Sequence, residues 1–295
     1  MSSTASTSLS SPASPAAGRT VVVTGASGRL GAALAQHLAA QGHAVAVHYR
    51  SEGSRAAAEA VVERINAMSP PGGRARAFQA DLSREADAER LMREVADLLG
   101  PPDTLINNAG VYCEKRFHDL TADDFWEGLH STVGAAFFAI RAALPHLRAS
   151  GRGRIVSVGD SLCDQPGFAE PAFSYYVGKT GVWMMTKTLA PLEAPHGVTI
   201  NIVSPGMLGD SLGLQPLREM PAGRFATPAD IAAAIDFFLS AAAAYMTGNN
   251  LIVAGGFNVA PLQKSILEQA GYVREAESAP TSAARPSDAQ ESPAP

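Results

Sequence analysis

The sequence predicts an α/β protein built on one doubly wound parallel sheet of about seven strands, with helices on both faces. Three observations carry that expectation. Short β-branched runs alternate with longer Ala- and Leu-rich stretches of helical period along most of the chain. A glycine-rich turn joins the first such run to the first such stretch. Several of the strand-like runs are apolar throughout instead of alternating, as strands buried on both faces must be.

The elements follow in order. TVVVTG (Thr20–Gly25) is the first strand, three valines ending on a turn residue, and Leu30–Gln41 is the first helix, its leucines and alanines returning at helical spacing. AVAVHYR (Ala44–Arg50) is the second strand, and Ser54–Met68 is a helix opened by a serine. ARAFQADL (Ala75–Leu82) and Glu85–Leu99 make the third pair, with acids in the first helical turn where the macrodipole favours them. TLINNAG (Thr104–Gly110) is the fourth strand, followed by one long helix over Ala122–Ser150. GRIVSVGD (Gly153–Asp160) leads into Tyr175–Ala194, and VTINIVSPG (Val198–Gly206) leads into Pro228–Ala242, whose proline suits a first helical position. NLIVAGG (Asn250–Gly256) closes the sheet.

Residues 19–276 read as this one domain, with PLQKSILEQAGYVREAES adding an amphipathic helix after the last strand. The Ser/Ala/Pro leader 1–18 and the tail 277–295 hold too few apolar side chains to offset ordering entropy, so both are expected to be disordered. A net charge of -5 argues against nucleic acid as a partner. No apolar run approaches the roughly 20 residues that span a bilayer, so no membrane partner is expected, and the leader lacks the basic start of a secretory signal. Two cysteines without CxxC spacing suit a reducing compartment, and the protein reads as cytoplasmic.

GASGRLG places Gly25, Ser27, Gly28, Arg29, Leu30 and Gly31 between the first strand and the first helix, where glycines let backbone amides approach a pyrophosphate. NNAG (Asn107–Gly110) follows the fourth strand, Tyr175 and Lys179 the fifth, and NIVSPG (Asn201–Gly206) the sixth, before MTGNNLIVAGG. This order resembles the short-chain dehydrogenase/reductase family over Thr20–Phe257. The resemblance implies a single Rossmann-type domain that binds a nicotinamide nucleotide, with Leu82, Asn108, Ala109, Gly110, Pro205 and Gly206 also lining the cofactor. It further implies a homodimer or homotetramer, and KTGVWMMTKTLA carries an apolar face suited to packing between subunits.

Charge selects the nucleotide. An acid normally follows the second strand where a free ribose is held, whereas a 2′-phosphate wants cations and donors. That place here reads HYRSE, with His48, Arg50 and Ser51, and Arg29 lies within the glycine turn, so NADPH is expected. By the resemblance, Asp81 holds the adenine amino group.

Hydride transfer needs an acid for the atom that gains negative charge, and a tyrosine of ordinary pKa about 10 serves only when a cation stabilises its phenolate. Lys179, one helical turn beyond Tyr175, supplies that cation. The resemblance makes Tyr175 the proton donor and has Lys179 also hold the nicotinamide ribose. The family's serine at the end of the fifth strand falls on Asp160, with Ser161 beside it. A carboxylate repels an alkoxide yet holds a protonated imine or a heterocyclic N–H. Asp160 with Gln165 and Pro166, together with Arg29 and Tyr112, resembles the pteridine reductases, where an aromatic at the Tyr112 place stacks the pterin ring. Met207 completes the substrate side. Three features depart from that branch: Gly110 stands for its serine, Thr132 for the family asparagine of the long helix, and Asp160 and Tyr175 are slightly further apart than is usual, which lets Ser161 turn inward and restore an ordinary Ser-Tyr-Lys site.

The first reading is therefore an NADPH-dependent reductase of a C=N bond in a pterin or cyclic imine, with Asp160 orienting the substrate. The second is a ketoreductase for a carbonyl of 3-oxoacyl or polyketide type, acting through Ser161. A third, suggested by Thr132, is a nucleotide-binding sensor without turnover. His118 and His130 read as surface or core histidines, Trp126 and Trp183 as core or interface, and Tyr176, Cys113 and Cys163 as packing or pocket wall, and no metal is expected.

Overall fold

The computed structural model describes residues 18–68, 74–165, 172–212, 214 and 216–259. The leader before Gly18, the tail, Pro166 and the helix expected after the last strand lie outside the described residues. The chain divides into a compact unit ending at Asn258 and a second beginning at Val259, and every element below belongs to the first.

All seven expected strands form: β1 (Thr20–Val23), β2 (Ala44–Tyr49), β3 (Ala75–Gln79), β4 (Thr104–Asn107), β5 (Arg154–Val158), β6 (Thr199–Pro205) and β7 (Asn250–Val253). They lie in the order β3-β2-β1-β4-β5-β6-β7, every pair parallel. The helices are α1 (Arg29–Ala40), α2 (Arg55–Met68), α3 (Glu85–Leu99), α4 (Ala122–Leu129), α5 (Ala135–Ala149), α6 (Phe173–Glu193) and α7 (Pro228–Leu239). The pleat of β1 divides the core. Val21 and Val23 face one way, onto Leu34 and Leu38 of α1, Val61 of α2 and Phe238 of α7. Val22 faces the other way, onto Leu91 of α3, Ile140 of α5 and Ala190 of α6. Each fully buried aliphatic or aromatic side chain in these layers stabilises the fold by about 1.5–3 kcal/mol. Among the described residues, no helix is long and apolar enough to cross a membrane.

The strand order reverses between β1 and β4, so the crevice outside their carboxyl ends is where a ligand is accommodated. The loops after β1, β4, β5 and β6 converge there.

One element departs from expectation. The helix expected over Ala122–Ser150 is interrupted by a π turn at His130–Gly134 between α4 and α5. The cause is close approach to α6. A Cβ built on Gly128 would meet the Ser174 Oγ at 2.5 Å, and one on Gly178 would meet the Thr132 Oγ1 at 1.8 Å. Thr132 turns its hydroxyl back onto the Gly128 carbonyl four residues earlier, which competes with the regular backbone ladder.

Candidate active site

The glycine turn is bolted from both sides. On the β4 side the Thr24 hydroxyl accepts from the backbone N–H groups of Asn108 at 2.9 Å and Ala109 at 3.0 Å. The Asn108 amide donates to the carbonyls of Thr24 and Gly25 at 3.0 and 3.1 Å. On the β2 side, His48 accepts from the Gly25 N–H at Nδ1 (3.0 Å), which leaves Nε2–H to donate to the Ala80 carbonyl at 2.9 Å. Burial pushes this imidazole down to about 4, so it is neutral near pH 7. His48, expected near the ribose, therefore shapes the turn through its ring and carries no positive charge near pH 7.

Gly25 takes φ +64°, a left-handed geometry natural to glycine, and Gly31 sits where a Cβ would come within 2.3 Å of the Gly25 carbonyl oxygen. Gly28 is different. Nothing lies within 4 Å of a Cβ built there, and it caps α1 without a side-chain bond, so the space beside the start of α1 is open. Such a cradle fits a pyrophosphate. Ser27 lies in the same turn, half-buried, and Leu30 packs its side chain against the core below.

The two arginines expected to read the 2′-phosphate meet different acids. Arg50 at the end of β2 places Nε 3.5 Å from Asp81 and bonds Glu127 of α4 through Nη1 and Nη2. Arg29 turns across the crevice to Asp210 in the loop after β6. Ser51 opens the short helical turn Glu52–Ser54, and Asp81 is held by Ser83 beside buried Leu82. Glu127 and Asp210 carry no motif, and both were missed because their partners lie 77 and 181 residues away in sequence.

The reacting end is built by β5 and α6. Lys179 is buried and donates from Nζ to the Val158 carbonyl at 2.7 Å, its nitrogen 5.4 Å from the centre of the Tyr175 ring. Burial pushes the ammonium down to about 8 against the opposing charge of Asp160. Tyr175 is held well above the ordinary tyrosine range by burial and then by Asp160. Burial also raises the Asp160 carboxyl, which accepts at Oδ1 from the Leu162 N–H at 2.9 Å. Tyr112 stands edge-on to Tyr175 at 5.1 Å between ring centres, with Tyr176 on another side at 5.5 Å. Tyr112, Tyr175, Tyr176 and Lys179 thus all stand within electrostatic reach of Asp160.

Ser161 is 2% exposed, and its N–H bonds the Pro205 carbonyl at 2.9 Å. Gly206 in turn bonds Val253, and Met207 bonds Ala226, which fixes the start of the loop after β6. Gly110 and Thr132 are a matched pair: a Cβ at Gly110 would press on the Thr132 methyl at 3.1 Å and lie 3.6 Å from Lys179 Nζ. His130 stacks on Trp126, away from this chemistry, and Cys163 is buried beside Ser204. Among the described residues no cluster of His, Cys, Asp or Glu can hold a metal.

Comparison with known proteins adds to this geometry. The family model described as Enoyl-(Acyl carrier protein) reductase matches residues 25–258. A 3-oxoacyl-[acyl-carrier-protein] reductase FabG of Staphylococcus epidermidis is 32% identical over 248 residues, which cover 81% of this chain and 98% of that protein. The 3beta-hydroxysteroid dehydrogenase 1 of Eggerthella lenta is 32% identical over 259 residues, 83% of this chain and 95% of its own. A blue fluorescent protein from a metagenomic library, solved in complex with NADPH, has a TM-score of 0.73 and 32% identity over 83% of this chain and 99% of its own.

These matches overturn the expectation of pterin or imine reduction, since the two enzymes are named for chemistry at an oxo or hydroxyl carbon. Burial also raises the Asp160 carboxyl above its ordinary value, which weakens it as a fixed anion for a protonated imine. A sheet with this strand order and this turn, matched by a family model across most of its length, has one assignment: the protein belongs to the short-chain dehydrogenase/reductase family.

Proposed function

We propose that the protein is an NADPH-dependent ketoreductase acting on a 3-oxoacyl or similar carbonyl substrate. The observation that carries this reading is the cluster at the carboxyl end of β5, where buried Lys179 lies 5.4 Å from the centre of the Tyr175 ring and Asp160 acts electrostatically on both. The relative named a 3-oxoacyl reductase and the structure solved with NADPH support it.

Gly25, Ser27, Gly28, Arg29, Leu30 and Gly31 would hold the pyrophosphate, and Arg50 and Ser51 the 2′-phosphate. Asp81 and Leu82 would hold the adenine, and Asn108, Ala109, Gly110, Lys179, Pro205 and Gly206 the nicotinamide half. Bound there, the cofactor supplies the hydride. Tyr175 passes its phenolic proton to the carbonyl oxygen as that oxygen becomes an alkoxide, and Lys179 stabilises the tyrosinate left behind. Asp160, when protonated, donates a hydrogen bond to the same oxygen, a task that a carboxylic acid performs and a carboxylate does not, and burial raises its pKa toward that form. Tyr112 and Met207 wall the substrate side. The net reaction takes up one proton, which Tyr175 delivers and solvent replaces.

A homo-oligomer belongs to this reading. Val177, Met184 and Leu192 of α6 and Phe137 of α5 are exposed, an apolar surface that a second copy would cover. Light scattering on the purified protein tests it, with a monomer at micromolar concentration as the opposing result.

NADPH oxidation across 3-oxoacyl thioesters, ketosteroids, dihydropterins and cyclic imines tests the activity. Turnover of oxo substrates is expected, abolished in Tyr175→Phe. Activity confined to the C=N substrates would overturn the reading.

A further inference from the structure

Among the described residues, Arg29 is the only non-glycine residue with a positive φ, at 50°. Glycine would adopt that geometry without steric cost, so a branched backbone position held there needs a reason in its side chain. The side chain has one. Arg29 Nε lies 3.4 Å from Asp210 Oδ2, and Nη2 donates to the Asp210 carbonyl oxygen. Asp210 is presented by a closed turn, in which the Ser211 N–H donates to the Leu208 carbonyl at 3.0 Å and the Leu208 N–H donates to the Ser211 Oγ at 3.0 Å. The base of that loop is fixed by the Ala226 N–H on the Met207 carbonyl at 2.9 Å. Two contacts therefore join the first residue of α1 to the loop after β6, the two banks of the crevice, beside the open cradle at Gly28.

We infer that Asp210 is a positioning residue for the cofactor: with Arg29 it closes a bridge over the crevice that slows release of NADPH. The inference rests on the NADPH reading above. Both side chains are more than half exposed, 53% and 57%, so in the free protein the bridge shifts the balance of closed over open loop by no more than about fivefold. It therefore opens readily for entry. With phosphates in the cradle, the guanidinium stands between two anions and the bridge holds from both sides. Asp210 acts through Arg29 and touches no reacting atom.

The test is the dissociation rate of NADPH, read by stopped-flow displacement of its fluorescence from the full-length protein. Asp210→Asn is expected to raise that rate about three- to fivefold, the scale of an exposed pair. Asp210→Glu, which keeps the charge, is expected to return it to within about twofold of wild type. Arg29→Gly keeps the φ without strain and is expected to speed release further, because it also removes a phosphate contact. The double variant Arg29→Gly with Asp210→Asn is then expected to be no faster than Arg29→Gly alone. High salt should shrink the difference between wild type and Asp210→Asn. An unchanged or slower release in Asp210→Asn, as when Asp210 competes with phosphate for Arg29, sinks the bridge while leaving the cofactor reading intact. Failure of the wild type to bind NADPH sinks both.

Discussion

Lys179 reaches past Tyr175 to donate a 2.7 Å hydrogen bond from Nζ to the carbonyl of Val158, the last residue of β5. The tyrosine and the cation that serves it are thus positioned by different elements, the ring by α6 and the ammonium by the strand end. Burial holds that ammonium down at about 8.

The pH dependence follows with opposite signs for activity and stability. Reduction needs Lys179 charged, so kcat should fall as pH rises through about 8. For stability, between about 8 and the ordinary lysine value of about 10.4, the unfolded chain holds a proton that the folded chain has released. The contribution of this group to stability therefore rises with pH across that window and is lost as pH falls through about 8. Urea unfolding of wild type and Lys179→Met on both sides of pH about 8 isolates it, since the variant lacks the group. A slope shared by both proteins would assign the effect to other residues.

The contact between Gly178 and Thr132 predicts intolerance at a position that carries no charge itself. Gly178→Ala would drive a methyl to 1.8 Å from the Thr132 Oγ1 and 2.8 Å from its Cβ. A loss of about 1–3 kcal/mol is expected, the usual scale of overpacking, together with a fall in kcat because Lys179 is the next residue. Thr132→Ala should rescue only part of it, since the Cβ remains. Thr132→Asn, which restores the family asparagine, should lower kcat instead of raising it, because Gly178 leaves no room for the larger side chain. Thermal unfolding and steady-state kinetics on the same preparations decide both points.

Cofactor selectivity should depend on Arg50 and on the acids that now hold it. One charge-assisted bond to a 2′-phosphate contributes about 1.5–3 kcal/mol, so Arg50→Ala should weaken NADPH binding about 10- to 100-fold and leave NADH nearly unchanged. Glu127→Gln frees the same guanidinium from a competing carboxylate and should tighten NADPH several-fold. Titration of both nucleotides gives the result directly. Equal loss of NADH and NADPH affinity in Arg50→Ala would place the arginine away from the 2′-phosphate.

What the sequence disclosed and what it concealed have separate physical causes. The seven strands and the glycine turn were legible because each depends on local chemistry: valine runs for buried strands, and a left-handed glycine at Gly25. The spacing of Tyr175 and Lys179 was legible because one helical turn separates them, and their place directly after the fifth strand singled them out. The π turn at His130–Gly134 was not, since it arises where α4 meets α6 across Gly128 and Gly178, a packing event invisible to a helical pattern. Asp210 and Glu127 were hidden for the same reason, as their partners are brought to them by the fold. The substrate class was read from Asp160 standing in the place of the family serine, and the relatives named for oxo and hydroxyl chemistry correct it. The burial that raises this carboxyl is set by the fold and is likewise invisible in the sequence.

That property gives the last prediction. If neutral Asp160 donates to the carbonyl oxygen, kcat on an oxo substrate should decline as pH rises through the raised pKa of this carboxyl, because the ionised form repels the developing alkoxide. Asp160→Asn replaces the acid by an amide that donates at every pH, so it should keep substantial activity while this limb of the profile disappears. Asp160→Ala should lose about 10²- to 10³-fold in kcat, the scale of removing one donor from a developing oxyanion. Ser161→Ala should cost little, since the Ser161 backbone is fixed to Pro205 and its side chain is buried. The pair of alanine variants separates the two residues. An inactive Ser161→Ala beside an indifferent Asp160→Ala would hand the role to the serine, whereas the pH limb vanishing in Asp160→Asn alone identifies the carboxyl as the group that titrates.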